Sequence, residues 1–141
     1  MLKGIDPILN ADLLHALCAM GHGDDLVLAD ANFPALTMAR RLIRMDGVRG
    51  PRLLEAVLSV LPIDDFVPDP ALRIEVVGAP DEVPPVCAEY AAILEHHGVK
   101  LGKIDRFAFY DRARQAFAVV ASGEPRLYGC LLLKKGVLRP S

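Results

Sequence analysis

Apolar residues along this chain fall into short packets whose spacing switches between that of a helix and that of a strand. After Asn10, a good N-cap, the positions Leu13, Leu14, Leu17, Cys18 and Met20 recur at helical spacing, and Gly21 suits a left-handed stop. Leu26-Val27-Leu28-Ala29 is a short apolar run bounded by acids, which predicts a buried strand ending at Asp30. Asn32-Phe33-Pro34 then interrupts regular structure. Leu42-Ile43-Arg44-Met45 is a further strand candidate closed by Asp46-Gly47. Pro51 opens a helix through Leu53, Leu54, Val57, Leu58 and Leu61, which Pro62 ends.

Residues 64–71 carry Pro68 and Pro70 and read as loop. The β-branched alternation of Leu72-Arg73-Ile74-Glu75-Val76-Val77 predicts a strand, and Pro84-Pro85 leads into a helix with Val86, Tyr90, Ile93 and Leu94 on one side, ending at Gly98. Residues 104–106 fit another short strand and residues 107–115 a helix. Phe117-Ala118-Val119-Val120-Ala121 and Cys130-Leu131-Leu132-Leu133 predict two strands joined by a turn-rich loop. No repeat or long linker divides the chain, so residues 1–141 are expected to form a single domain. The alternation of strands and helices predicts an α/β fold, a three-layer α/β/α sandwich with a largely parallel or mixed sheet.

Composition narrows the partners. The formal net charge is -2 with both signs interspersed, so there is no basic footprint for nucleic acid or for an anionic membrane. No apolar run approaches the roughly 18 residues of a membrane span, and the N-terminus has no signal-like core, which makes the cytoplasm the expected location. Hydrophobic residues make up 52% of the chain, leaving apolar surface that subunit contacts could cover. The three cysteines, Cys18, Cys87 and Cys130, have neither disulfide-framework nor zinc-site spacing, and the two flanked by apolar residues, Cys18 and Cys87, read as small core residues.

Candidate chemistry begins at Gly21-His22-Gly23-Asp24-Asp25, between a predicted helix and a predicted strand. This is not a dinucleotide fingerprint, which follows a strand and opens a helix. Glycines on both sides free the backbone and let an imidazole stand clear of the core, although the same residues also fit a turn histidine without chemistry. Asp30 closes a buried strand, where open α/β sheets place ligand contacts; it equally fits a turn cap. Arg106 adds a cationic donor before Phe107-Ala108-Phe109-Tyr110, and Tyr128 adds a phenol.

Taken in order, Gly21-His22-Gly23-Asp24-Asp25, Asp30-Ala31-Asn32-Phe33-Pro34-Ala35, Arg106-Phe107-Ala108-Phe109-Tyr110, and Tyr128-Gly129 before Leu131-Leu132-Leu133-Lys134-Lys135-Gly136-Val137 resemble the L-fucose mutarotase branch of the family it shares with D-ribose pyranase. The likeness runs nearly end to end. It implies a proton-donating His22, substrate contacts at Asp30, Arg106 and the Tyr128-Gly129-Cys130 segment, and a ring-shaped homo-oligomer, a decamer, with sites near subunit contacts. Cys130 departs from the asparagine of such relatives. A thiol is a poor hydrogen-bonding group beside an amide, so backbone groups of that segment are the expected substitutes.

The implied reaction interconverts the α and β anomers of a free monosaccharide, L-fucose foremost. It protonates the ring oxygen, removes a proton from the anomeric hydroxyl, and reverses both after rotation of the exposed aldehyde. No redox change, metal or covalent adduct is needed, so no cofactor is expected. A free imidazole titrates at about 6.5 and can give and retrieve a proton near neutrality. Asp30 would accept from sugar hydroxyls and Arg106 would donate to them, Tyr128 would bond a hydroxyl or relay a proton, and Phe33 or Tyr110 could cover an apolar sugar face or act in packing. His15, and His96-His97 before Gly98, read as structural or surface groups. Alternatives are pyranose–furanose interconversion of D-ribose, a non-catalytic sugar-binding protein, and a metal hydrolase using His22, Asp24 and Asp30, which lacks a second well-spaced histidine.

Overall fold

The computed structural model describes residues 1–141. Eleven elements follow one another as α1 (Ala11–Ala19), β1 (Asp25–Ala29), α2 (Ala35–Met38), β2 (Leu42–Met45), α3 (Gly50–Leu58), β3 (Ala71–Ile74), α4 (Pro85–Glu95), β4 (Gly102–Ile104), α5 (Arg106–Gln115), β5 (Ala118–Ser122) and β6 (Leu131–Lys134). The strands form one sheet in the order β2-β5-β1-β6-β3-β4. The β1–β5, β2–β5 and β3–β4 pairs are parallel, whereas β6 runs antiparallel to both β1 and β3, so the sheet is mixed.

Alternation along the central strands splits the core between two faces. Leu26, Leu28, Ala118, Val120, Leu131 and Leu133 pack with Leu13 and Leu17 of α1, Leu53 and Val57 of α3, and Tyr90 and Leu94 of α4. Val27, Ala29, Val119, Ala121 and Leu132 pack on the opposite face with Ala35 of α2 and with Phe109 and Ala113 of α5. These are the three layers that the pattern predicts. Because β1, β5 and β6 are covered on both faces, they read as continuous apolar runs rather than alternating ones.

Several boundaries differ from expectation for local reasons. Helix α1 is capped as predicted, with the Asn10 side chain accepting from Leu13 N–H at 2.8 Å. Gly21, however, is not left-handed: the helix leaves through an extended Met20, and the left-handed residue of the following turn is Gly23, with φ +86°. Helix α3 ends at Leu58, after which the Ser59, Val60 and Leu61 N–H groups keep turn-type bonds to the last helical carbonyls. The strand expected to run to Val77 stops at Ile74. Arg106 begins a helix rather than ending a strand, because the Asp105 side chain accepts from the N–H groups of Phe107 and Ala108 at 3.0 and 3.1 Å. No helix is long and apolar enough to cross a membrane.

The connection from β5 to β6 has the largest consequence for the site. These strands are consecutive in sequence, yet β1 lies between them in the sheet, so residues 123–130 must cross the C-terminal end of β1. That crossing brings Tyr128, Gly129 and Cys130 onto Asp30.

Candidate active site

Asp30 is buried at the end of β1, and both of its carboxylate oxygens are held. Oδ1 accepts from Asn32 N–H at 3.0 Å, the turn-capping bond open to any Asp in this position, and Oδ2 accepts from Gly129 N–H at 3.1 Å. Each oxygen keeps acceptor capacity for a further donor. A cleft of about 230 Å³ opens beside it, lined by Asp30, Arg106, Tyr128 and Cys130 together with Asn32, Phe33, Ile74, Val77, Tyr110 and Leu127. That is somewhat below the ≈ 300–1,000 Å³ of sites for drug-sized ligands and suits a single small ring. A second hollow of about 480 Å³ shares Asp30, Phe33 and Pro34 and extends over the ends of β5 and β2 to Ser122, Arg44 and Asp46.

Tyr128 adopts φ 62°, the one non-glycine residue in the left-handed region. Such a conformation costs an L-residue about 1–2 kcal/mol, and here it turns the side chain back across the cleft. The phenol oxygen accepts from Val77 N–H at 3.1 Å, which leaves the hydroxyl proton free to be donated. Arg106 is exposed at the first turn of α5, its guanidinium 4.8 Å from the centre of the Phe107 ring. Phe33 meets Tyr110 edge-on at 5.7 Å and Phe109 at 6.1 Å, so the aromatic wall is packed as well as available to a ligand.

In the Tyr128-Gly129-Cys130 segment, Gly129 and Cys130 bond Asp30, while Tyr128 and Cys130 line the cleft. Cys130 is buried, and its sulfur accepts from Asp30 N–H at 3.4 Å; burial, aided by the Asp30 charge, pushes its thiol well above the usual range. Gly129 does not line the cleft. Its N–H goes to Asp30, its carbonyl accepts from the Tyr90 hydroxyl at 2.9 Å, and a Cβ there would lie 2.9 Å from Glu124 Cγ. The Tyr128 carbonyl accepts from Cys87 Sγ at 3.3 Å. Of the backbone groups expected to replace the missing amide, the Gly129 N–H is thus engaged by Asp30, and the Gly129 and Tyr128 carbonyls each already accept one bond.

His22 stands elsewhere. It precedes β1, whereas Asp30 follows it, and five strand residues at about 3.3 Å each put roughly 17 Å between the two ends. The turn is anchored by hydrogen bonds of Gly23 N–H to the Lys135 carbonyl and of Lys135 N–H to the Asp24 carbonyl, both 2.9 Å. Lys135 Nζ caps the end of α1 at the Leu17 and Met20 carbonyls, at 2.7 and 2.6 Å. The imidazole is 44% exposed, and its Nε2 lies 3.0 Å from Oδ1 of Asp64, whose side chain is only 2% exposed. With the carboxylate as acceptor, Nε2 carries the hydrogen of the neutral ring and Nδ1 is left for chemistry. Phe66 lies against the ring at 5.1 Å, and its N–H also donates to Asp64 Oδ1. Asp24 bonds the Gly21 N–H through its side chain, so His22, Asp24 and Asp30 do not converge within one chain.

Two residues of consequence escape a sequence reading. Asp64 sits in what reads as a proline-rich loop and reaches His22 because Asp64 N–H bonds the Lys134 carbonyl at 3.0 Å, hooking both segments to the end of β6. Glu124 reads as part of a turn but is fully buried beneath the crossing loop.

The fold and the cleft define a small α/β protein with one compact polar and aromatic site at the C-terminal end of its central strand. Residues 3–138 match the RbsD / FucU transport protein family, and the chain belongs to that family. It is 51% identical to the fucose mutarotase of Homo sapiens over 145 residues, covering 97% of this chain and 94% of that one. It is 44% identical to the L-fucose mutarotase of Actinobacillus pleuropneumoniae serotype 5b (strain L20), covering 97% of each. The crystal structure of the fucose mutarotase from Streptococcus pneumoniae in complex with L-fucose superposes with a TM-score of 0.92 at 41% identity, covering 98% of this chain and all of that one.

Proposed function

We propose that this chain is an isomerase that interconverts the α and β anomers of L-fucose, binding the sugar in the Asp30 cleft and moving protons with His22. The observation that carries the reading is the convergence of Asp30, Arg106 and Tyr128 on one ring-sized cleft, in a chain about half identical to fucose mutarotases. Asp30 accepts from sugar hydroxyls, Arg106 donates to them, and the Tyr128 hydroxyl, already an acceptor from Val77, donates in turn. Ile74, Phe33 and Tyr110 offer apolar surface to the methyl group of a 6-deoxy sugar.

Ring opening needs one proton delivered to the ring oxygen and one taken from the anomeric hydroxyl; reclosure on the other face of the aldehyde reverses both. Protonated His22 gives the first through Nδ1 and recovers it on closure, while solvent water takes the second and returns it when the ring recloses. Asp64 holds the ring in place, as an orienting carboxylate does for other catalytic imidazoles. Since His22 and Asp30 lie at opposite ends of β1, the complete site requires His22 from a second copy. A ring-shaped homo-oligomer, a decamer, supplies it. Exposed apolar side chains support this arrangement at both ends: Phe66 against His22, and Val77 and Leu127 at the cleft. Three free cysteines, two of them buried, fit the reducing cytoplasm.

Exchange NMR with L-fucose, D-ribose and D-galactose side by side tests the reading. Accelerated anomer exchange greatest for L-fucose is expected. Perturbed sugar signals without acceleration would make the chain a binder, and preference for D-ribose with furanose formation would make it a pyranase.

A further inference from the structure

The crossing loop contains a carboxylate that the proposed reaction does not use. Glu124 is 0% exposed. Its Oε1 accepts from the N–H of Arg126 at 3.1 Å and from Arg126 Nε at 2.8 Å. Its Oε2 accepts from Gly50 N–H, at the first residue of α3, at 3.1 Å, and from Arg126 Nη2 at 3.2 Å. These donors, the Arg126 guanidinium foremost, hold the carboxyl down to about 2 against the opposing effect of burial. Arg126 is fixed from its other side by Glu89 of α4. Buried ion pairs are poor sources of net stability, since apolar residues often replace them without loss; what they supply is geometry.

Here the geometry falls on the site. Glu124 and Arg126 close residues 124–126 into a tight fold stapled to the start of α3. Two residues later Tyr128 is in its left-handed conformation. Gly129, whose N–H holds Asp30, packs directly on Glu124 Cγ. We infer that Glu124, clamped by Arg126, is a positioning residue for sugar binding: it sets the backbone of the crossing loop so that Tyr128 and, through Gly129, Asp30 are held in place. The inference rests on the reading of the Asp30 cleft as the sugar site. Glu124 touches the crossing loop and not the His22 turn, so its loss weakens sugar binding in the ground and transition states alike and spares proton transfer. That is a rise in KM with kcat retained.

The test compares wild type, Glu124→Gln and Arg126→Met by L-fucose anomer exchange over a range of sugar concentrations, with hydrogen–deuterium exchange of residues 123–130. Glu124→Gln should raise the half-saturating concentration about tenfold or more, the scale of a lost charge-assisted contact, while maximal exchange falls less than about threefold. Faster deuterium uptake should be confined to the crossing loop. Arg126→Met, at a partly exposed position, should move both readouts in the same direction by less. A folded Glu124→Gln protein with wild-type half-saturation, however heat-labile, would reduce Glu124 to a structural role and overturn the inference. If that variant does not fold, Arg126→Met decides by the same criterion. A wild-type protein that neither binds nor interconverts L-fucose would instead fail at the reading of the cleft, and the inference would fall with it.

Discussion

The two ends of β1 are built differently. At the C-terminal end, Asp30 is buried with both oxygens held by backbone N–H groups, and the cleft beside it is walled by residues brought in from α5, the β3 end and the crossing loop. At the N-terminal end, His22 is half exposed, tethered by one bond to a buried carboxylate and flanked by an exposed phenylalanine. One end is a walled cleft and the other a half-exposed imidazole, which the proposed function reads as sugar site and proton carrier. Within one chain the two ends lie roughly 17 Å apart along β1, and the proposed function therefore joins the cleft of one copy to the His22 turn of another, a functional unit larger than the folding unit.

The largest expected effect lies at the His22 end. His22→Ala should remove the accelerated exchange, a loss of about 10²–10⁴ in rate, while leaving L-fucose binding and the assembly unchanged by titration and sizing. Asp64→Asn tests the same end more finely. It keeps an oxygen for the imidazole and for Phe66 N–H but weakens the charge-assisted bond that orients the ring, so maximal exchange should drop roughly ten- to hundredfold with KM little changed. A KM effect there would place Asp64 against the sugar instead.

At the other end the signature should invert. Arg106 is exposed and makes no bond that the fold needs, so Arg106→Ala should leave thermal stability intact and raise half-saturation roughly ten- to hundredfold, read in the same exchange assay. Cys130→Asn should have the smallest effect. The amide oxygen can take over the bond from Asp30 N–H and its NH₂ can donate toward the cleft, so turnover should be retained or improved. A large loss would mean that the buried thiol is fitted to this particular wall.

Much of this was legible in the sequence where local chemistry decides structure. The Asn10 cap, the buried run into Asp30 and the proline entries to α3 and α4 depend on neighbours in the chain, and they stand where the pattern puts them. Of the five residues expected to contact a sugar, Asp30, Arg106, Tyr128 and Cys130 line one cleft and Gly129 does not. What could not be read depends on sheet order. Nothing in the β5 and β6 segments says that β1 inserts between them, and it is that insertion which lays the crossing loop over Asp30 and buries Glu124. Asp64 is 42 residues from His22 in sequence, and its role follows from a shared anchor on β6. The separation of His22 from Asp30, by contrast, follows from a strand lying between them; the motifs on either side of it invite one to overlook its length.

Coexpression of His22→Ala chains with Arg106→Ala chains tests most directly whether the site is shared. Random mixing gives about one site in four an intact His22 from one chain and an intact Arg106 from its neighbour. At L-fucose concentrations well below half-saturation, the mixed assembly should therefore recover about a quarter of wild-type exchange, far above either parent. Activity no higher than the average of the two parents would mean that both groups act from the same chain, and would contradict the account.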